Sequence, residues 1–327
     1  MDNSSSVKKF KLSSKDNPFS KLLPVIFLFV FAAVFIPAFG SVFLFLLPTI
    51  LFLNGTVNGA NRTLFIFLIT FSILVCITVL FKLDIPVMAV FTIGAAAIFM
   101  TKMAVRNYSI EKTIIGPALV IIGAISFYFI SDALALQVNP WQLVKNYITL
   151  LVEENVNLYG KLPLQAEDIN FIKDNEQNII NGLTQIFPSM VVILSVMMIW
   201  VNLLLGRNYL SRAGIIFPKL AVLARWKIPE KIIWIFIVSG ALLFVDQKDI
   251  SFFSVNVFII TCFAYFLHGL AIVSFFFQIK KVPLFFRYIF YFLIAVQQIL
   301  MIPIIAAGLF DIWFDFRKLF QKNQTTN

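Results

Sequence analysis

Apolar stretches long enough to cross a lipid bilayer follow one another from Leu22 almost to Leu309, with only short charged segments between them. A helix of about 20 apolar residues spans the hydrocarbon core of a bilayer, which is about 30 Å thick. The runs at Thr113–Ile130 and Leu183–Leu205 are of this kind. Backbone amides inside a bilayer must be satisfied within the chain, so the sequence predicts an all-α, polytopic transmembrane helical bundle.

The composition supports this fold class and narrows the chemistry. The chain is 60% hydrophobic and 13% charged, whereas a soluble domain carries about 25% charged residues. Its two cysteines lie in apolar runs and its one histidine has no companions, so we expect no disulfide framework, no metal and no cofactor. The net charge of +10 is explained by membrane orientation, and no nucleic acid is expected as a partner.

The distribution of lysine and arginine sets the expected topology, because short cytoplasmic loops are rich in both. We predict a basic cytoplasmic N-terminal tail at 1–21, a transmembrane domain at 22–310 and a C-terminal tail at 311–327 in a bacterial inner-membrane protein. A loop at Asn54–Arg62 separates the second and third crossings. The side of the C-terminus stays open, because either one predicted limb is not a true crossing or Pro303 and Gly308 bend the last span. The sequence predicts about eight to nine crossings, namely Leu22–Phe39, Val42–Leu53, Thr63–Phe81, Ile85–Thr101, Thr113–Ile130, Leu183–Leu205, Lys231–Val245, Phe252–Gln278 and Tyr288–Leu309.

Two segments between the spans carry opposite charge. The segment 132–182 is acidic and suits the extracytoplasmic face, and its apolar residues recur at helical spacing. We predict two amphipathic helices there, split near Gly160 and Pro163, that form either a ligand lid or an interfacial connector. The segment 206–231 is basic and is predicted to be a cytoplasmic loop that meets anionic lipid or a cytoplasmic protein.

Polar side chains within the apolar runs are candidate ligand-binding residues, because a polar group at membrane depth is costly and normally faces the bundle interior. His268 could carry a proton near neutral pH. Hydrogen bonding between neighbouring helices is the alternative role for each of them. The candidates are Asn202, Asn256, His268, Gln297 and Gln298.

Catalytic patterns are missing from the sequence, which predicts that the chain is not an enzyme. No nucleophile-elbow pattern surrounds the intramembrane serines Ser126, Ser239 and Ser274. Paired intramembrane aspartates and a phosphate-cradling glycine loop are absent as well. An intramembrane hydrolase built on His268 is therefore the third and least supported hypothesis.

Three motifs in the last 140 or so residues carry a family resemblance. The first comprises Arg225, Trp226, Pro229 and Glu230, the second is the pair His268 and Gly269, and the third comprises Asp311, Trp313, Asp315 and Arg317. In this order and spacing the chain resembles the uncharacterised bacterial YybS-type membrane proteins. The third motif also fits a span end, where tryptophan lies at the interface and Asp311 or Asp315 pairs with Arg317.

The YybS-type proteins are similar, at a distance, to the S-components of energy-coupling-factor vitamin transporters. This resemblance implies a pocket for a small solute that opens outward under the acidic segment, and a separate coupling subunit with two ATPases. The early spans carry Ala32, Ala33 and Ala38 instead of the AxxxA docking pattern of S-components. The leading hypothesis is therefore a membrane protein that binds or translocates a small solute. The alternative is a scaffold whose basic inner face recruits a cytoplasmic or envelope partner.

Overall fold

The computed structural model describes residues 22–36, 40–83, 86–159, 166–215, 217 and 223–325. These residues form helices and short connections with no β-strand, which confirms the predicted all-α class. The chain divides into two compact units. Unit 1 comprises Met1–Ile121 and Val196–Leu220, and unit 2 comprises Ile122–Ser195 and Ala221–Asn327.

Unit 1 is built from four helices, the first part of a fifth and the end of an eighth. These are α1 (Leu22–Phe35), α2 (Gly40–Asn58), α3 (Ala60–Phe81), α4 (Val87–Val105), α5 (Ile110–Leu136) and α8 (Glu176–Arg212). Unit 2 contains the rest of α5 and α8 together with α6 (Pro140–Tyr159), α7 (Ala166–Asp174), α9 (Ile232–Leu242), α10 (Lys248–Ile279), α11 (Leu284–Val296), α12 (Met301–Phe314) and α13 (Phe316–Thr325). Short 3₁₀ turns at Leu223–Arg225 and Gln298–Leu300 precede α9 and α12.

The core of unit 1 forms where α1, α3 and α4 pack against α2. The ring of Phe67 on α3 is 1% exposed and lies directly over Gly94 of α4. A Cβ atom at Gly94 would come within 2.6 Å of Phe67 Cε1. The neighbouring Ala96 and Ala97 are fully buried. Small residues on α4 thus provide the space that the aromatic ring fills.

The predicted loop at Asn54–Arg62 is wrong. Helix α2 continues to Asn58 and α3 begins at Ala60, so Gly59 alone connects them, with a φ of 94° that favours glycine. Asn54 is fully buried, and its Oδ1 accepts a hydrogen bond of 2.7 Å from the hydroxyl of Thr63. The polar residues that indicate a loop in the sequence are therefore part of two helices, and the hydroxyl of Thr63 bonds the Asn54 side chain between them.

The acidic segment folds as predicted into two amphipathic helices, α6 and α7. Buried residues recur every four positions along α6, at Val144, Ile148, Val152 and Val156, and they pack with Ile180 of α8. This spacing places them on one face of the helix. The break that we predict near Gly160 and Pro163 lies outside the described residues.

Six described helices are long and apolar enough to cross a membrane, and a bent helix pair makes a seventh candidate span. The predicted count of eight to nine is not confirmed. The described part of α1 has 14 residues and α9 has 11, and an 11-residue helix rises only about 16 Å. The candidate spans are α2, α3, α4, α5, α8 and α10, and the bent pair consists of α11 and α12.

The last predicted span, Tyr288–Leu309, is not one straight helix. Its two parts, α11 and α12, meet at an angle of 109°. The break falls at Gln297 and the following 3₁₀ turn rather than at Pro303 or Gly308. Residue 311, where we place the start of the tail from the sequence, lies inside α12.

Candidate functional site

Residues from all three sequence motifs meet in unit 2, in a buried polar cluster. His268 on α10, Asp311 on α12 and Arg317 on α13 are 2%, 3% and 6% exposed. Asp311 Oδ2 lies 3.2 Å from His268 Nε2 and 3.4 Å from Arg317 Nη1. The contact between His268 Nε2 and Asp311 Oδ2 is close but does not have the geometry of a hydrogen bond. Arg317 Nη2 also donates a 2.8 Å hydrogen bond to the carbonyl oxygen of Trp226.

We call Trp226, His268, Asp311 and Arg317 the inner cluster. The carboxylate of Asp311 accepts a further hydrogen bond of 2.8 Å from the backbone N–H of Phe316, which fixes the turn between α12 and α13. The indole of Trp226 meets the imidazole edge to face, with ring centroids 6.0 Å apart. The inner cluster therefore joins the segment before α9 to three helices through one buried carboxylate.

Two glycines allow the close helix crossing on which the inner cluster depends. A Cβ atom at Gly308 of α12 would lie 2.9 Å from the backbone nitrogen of Gly269 and closer still to the carbonyl oxygen of Tyr265. A Cβ atom at Gly269 of α10 would likewise meet the backbone of Ile304. Because the two backbones touch, Asp311 is held beside the imidazole, and this explains why Gly269 belongs to the motif.

A second charged group lies next to the inner cluster and is more exposed. Asp315 Oδ2 lies 3.1 Å from Lys227 Nζ and 3.0 Å from Lys318 Nζ. Partial burial raises the pKa of the Asp315 carboxyl, but hydrogen bonds and charge from the two lysines outweigh it, so that pKa lies below its ordinary value. Burial lowers the pKa of the Arg317 guanidinium. The charges of Asp311 and Asp315 raise that pKa but do not outweigh the effect of burial.

The other motif residues lie at the surface of unit 2. Arg225, Pro229 and Glu230 are exposed in the segment that precedes α9. Trp313 is 61% exposed near the end of α12. Sequence reasoning missed Tyr265, which is fully buried one turn before His268 and whose hydroxyl has no hydrogen-bond partner among the described residues.

Asn202 and Asn256 are both engaged by the backbone of a neighbouring helix. Asn202 Oδ1 accepts from Thr49 N at 3.0 Å, and its Nδ2 donates to Phe45 O at 2.8 Å. Asn256 has equivalent contacts with α8, and it is 6% exposed. Gln297 and Gln298 lie in the bend between α11 and α12, where both are exposed. The structure thus brings His268, but not these amides, into the inner cluster.

An open cavity of about 1030 Å³ lies in unit 2. Aromatic side chains and charges of both signs share its wall. We call it the α6–α10 cleft. It is lined by Trp141, Lys145, Asn181, Thr184, Gln185, Pro188, the connection from Leu243 to Asp249, Ser251 and Phe252.

The α6–α10 cleft lies against the acidic segment, where the sequence resemblance implies a pocket. The rings of Trp141 and Phe252 meet edge to face at 5.1 Å. From the sequence, the charges at Asp246, Lys248 and Asp249 indicate only a turn between spans. Their place in the wall could not be found without the partner helix α6. Within the described residues no three histidine, cysteine, aspartate or glutamate side chains are grouped to hold a metal ion.

Comparisons with known proteins agree with the membrane architecture. No curated protein and no solved structure matches the chain. A family model described as "Predicted membrane protein (DUF2232)" matches residues 24–312, which include the six straight candidate spans, all but the last two residues of the bent pair, and His268 and Asp311 of the inner cluster. The match covers most of the chain, and its apolar helices make the chain a multi-pass membrane protein. The chain therefore belongs to the DUF2232 family of membrane proteins.

Proposed function

We propose that this membrane protein binds a small polar solute in the α6–α10 cleft, in the manner of an energy-coupling-factor S-component. The observation that carries the proposal is the cleft itself. Its volume of about 1030 Å³ matches the upper end of small-molecule sites, which measure about 300–1,000 Å³. Several helices with separate positions in the chain converge on it, as in ligand sites between the helices of bundles.

The lining favours a solute that has both a flat apolar part and ionised groups. Trp141 offers an aromatic face, and it is held in place by the ring of Phe252. Lys145 and Lys248 can attract a carboxylate, while Asp246 and Asp249 can attract an amine. A small heterocyclic or aromatic acid or amino acid fits this combination.

The charge distribution supports an outward-facing cleft. The N-terminal tail and the segment 206–231 are basic, whereas the segment 132–182 that contributes α6 is acidic. Under the positive-inside rule the basic parts face the cytoplasm of a bacterial inner membrane, and the cleft opens on the other side. In this proposal a separate coupling module or an ion gradient supplies the energy for any movement of the solute.

Native mass spectrometry of protein purified from its own membranes tests the proposal. The expected result is a mass excess of a few hundred daltons that is released on collisional activation. Trp141→Ala removes the aromatic face and should abolish the excess. Trp234→Ala is the matched control, because Trp234 is 67% exposed on α9 and does not line the cleft. Wild-type protein without any bound small molecule, or equal loss in both variants, would contradict the proposal.

The scaffold hypothesis keeps one supporting observation. Arg225 and Lys231 are exposed beside α9, so their charges face outward, whereas Lys227 is paired with Asp315. If this basic surface recruits a cytoplasmic protein, a stoichiometric partner should copurify and be lost from Arg225→Gln with Lys231→Gln. Lys82→Gln, at an exposed turn after α3, is the control. Retention of the partner by the double variant would exclude this role.

A further inference from the structure

Helix α8 contains a proline, and the hydrogen bond that should follow it is replaced by a side chain from α10. Pro188 has no N–H and its ring opens the preceding turn. The next N–H, from Ser189, would normally donate to the carbonyl of Gln185. Instead Ser189 N donates to Asn256 Oδ1 at 2.8 Å, and Asn256 Nδ2 donates to Gln185 O at 2.8 Å. The amide of Asn256 is thus inserted into the backbone of α8.

The same amide also holds the opposite wall of the cleft. Asn256 Nδ2 donates its second hydrogen bond, of 2.9 Å, to the carbonyl oxygen of Phe252 on its own helix. Gln185, Pro188 and Phe252 all line the α6–α10 cleft. One buried amide therefore ties the α8 wall to the α10 wall, while Asn256 itself does not line the cleft.

We propose that Asn256 is a positioning residue that sets the width of the α6–α10 cleft by holding the opened turn of α8. This proposal rests on the proposed function of the cleft as a solute site. With Asn256 in place, the part of α8 around Pro188 presents Thr184 and Gln185 to the solute at a fixed distance from Phe252. Without it, Ser189 N and Gln185 O lose their partner and the turn of α8 can close or fray.

In unit 1 the side chain of another asparagine bonds the backbone beside a proline in the same way. Pro48 lies inside α2, and the next N–H, from Thr49, donates to Asn202 Oδ1, while Asn202 Nδ2 donates to Phe45 O. Asn202 also donates to Met198 O on its own helix at 2.8 Å. None of these five residues lines the cleft. Asn202→Ala therefore removes bonds of the same kind as Asn256→Ala, together with one from the Thr49 hydroxyl, and it leaves the lining residues unchanged.

The experiment compares Asn256→Ala with Asn202→Ala in two measurements. The first is the bound small molecule in native mass spectra of the protein from its own membranes. The second is the mobility of a spin label at Asn181→Cys in the cleft wall, with Cys76 and Cys262 replaced by alanine. Loss of the hydrogen bonds to Ser189 N and Gln185 O should raise the dissociation constant of the solute about tenfold and so lower the bound fraction. The label should become more mobile in the Asn256 variant and remain as in the parent in the Asn202 variant.

A double variant separates positioning from general damage to the fold. Pro188→Ala restores the missing N–H, so α8 can close its own backbone bond and no longer needs the amide. In that background Asn256→Ala should change label mobility much less than it does alone. Asn256→Ser, which keeps a small polar group, serves if the alanine variant does not fold.

Equal effects of the two asparagine variants on the label, or no effect of Asn256→Ala, would overturn the proposal. A label that responds as expected in a protein that carries no small molecule would overturn the proposed function of the cleft instead. The mobility measurement does not depend on the solute, so the two failures are distinguishable.

Discussion

Replacing Gly308 by alanine is expected to lower the melting temperature of the protein by roughly 10 °C. The new Cβ atom would lie 2.9 Å from the backbone nitrogen of Gly269, and the carbonyl oxygen of Tyr265 is closer. Reaching an ordinary separation of about 3.5 Å requires the two helices to part by at least about 0.6 Å. Both obstacles are backbone atoms, so no side-chain rotation can relieve the overlap.

The magnitude follows from three contributions. Overpacking against rigid backbone costs about 3 kcal/mol, and pulling Asp311 away from His268 and Arg317 adds about 1–2 kcal/mol. Alanine returns about 1 kcal/mol through its better helix propensity. The net loss is about 3–4 kcal/mol, and each kcal/mol corresponds to about 2–4 °C for a large domain.

Scanning fluorimetry in a fixed detergent measures this loss through the five tryptophans. Gly123→Ala is the matched control, because a Cβ atom at this glycine of α5 has nothing within 4 Å. That variant should be neutral or slightly more stable. Equal melting temperatures for the Gly308 variant and the control would refute the close crossing of α10 and α12.

Three further outcomes follow from the contacts described above. Asp311→Ala leaves two buried basic groups without their carboxylate and should cost about 3–5 kcal/mol, and adding Arg317→Ala should restore part of the melting temperature. Asp315→Asn should cost at most about 1 kcal/mol at neutral pH. Because the folded-state pKa of the Asp315 carboxyl is lowered, its contribution to stability is lost as the pH falls. The melting temperatures of the parent protein and of the Asp315→Asn variant should therefore converge below about pH 3.9. Gly94→Ala forces the ring of Phe67 from its place and should cost about 1–3 kcal/mol, measured in the same assay.

Helix content and the amphipathic face of α6 could be predicted from the sequence because both depend on local spacing. The valine and isoleucine residues of that face, from Val144 to Val156, repeat at helical intervals whatever they pack against. The loop at Asn54–Arg62 was predicted wrongly for the same local reason. The polar residues of this segment indicated contact with water, whereas the side chain of Asn54 is hydrogen-bonded to Thr63 on the next helix. A sequence pattern does not show which polar groups satisfy one another.

The candidate sites depend on contacts between distant parts of the chain. The sequence marks Asn256 as an unusual intramembrane amide, but its partner Ser189 is 67 positions away. Pro188 gives a partial signal, because a proline inside a span leaves a backbone carbonyl to be satisfied. The bend at Gln297 gave no such signal, and the sequence indicated Pro303 and Gly308 as the residues that could bend the last span, whereas Gly308 lies at the crossing of two helices. The sequence singled out His268, Asp311 and Arg317 in separate motifs and suggested a pair of Asp311 or Asp315 with Arg317, but it did not indicate that Asp311 also meets His268.

Helix α10 has 32 residues and carries no charged side chain between Asp249 and Lys280. This uncharged stretch rises about 45 Å, well beyond the about 30 Å of an average hydrocarbon core. Such hydrophobic mismatch is relieved by tilting the helix or by locally thickening the lipid. Asn256 and His268 lie on this one helix, so a change in acyl-chain length alters the tilt of the element that carries both the cleft wall and the inner cluster. The geometry of both features should therefore respond to the thickness of the lipid bilayer.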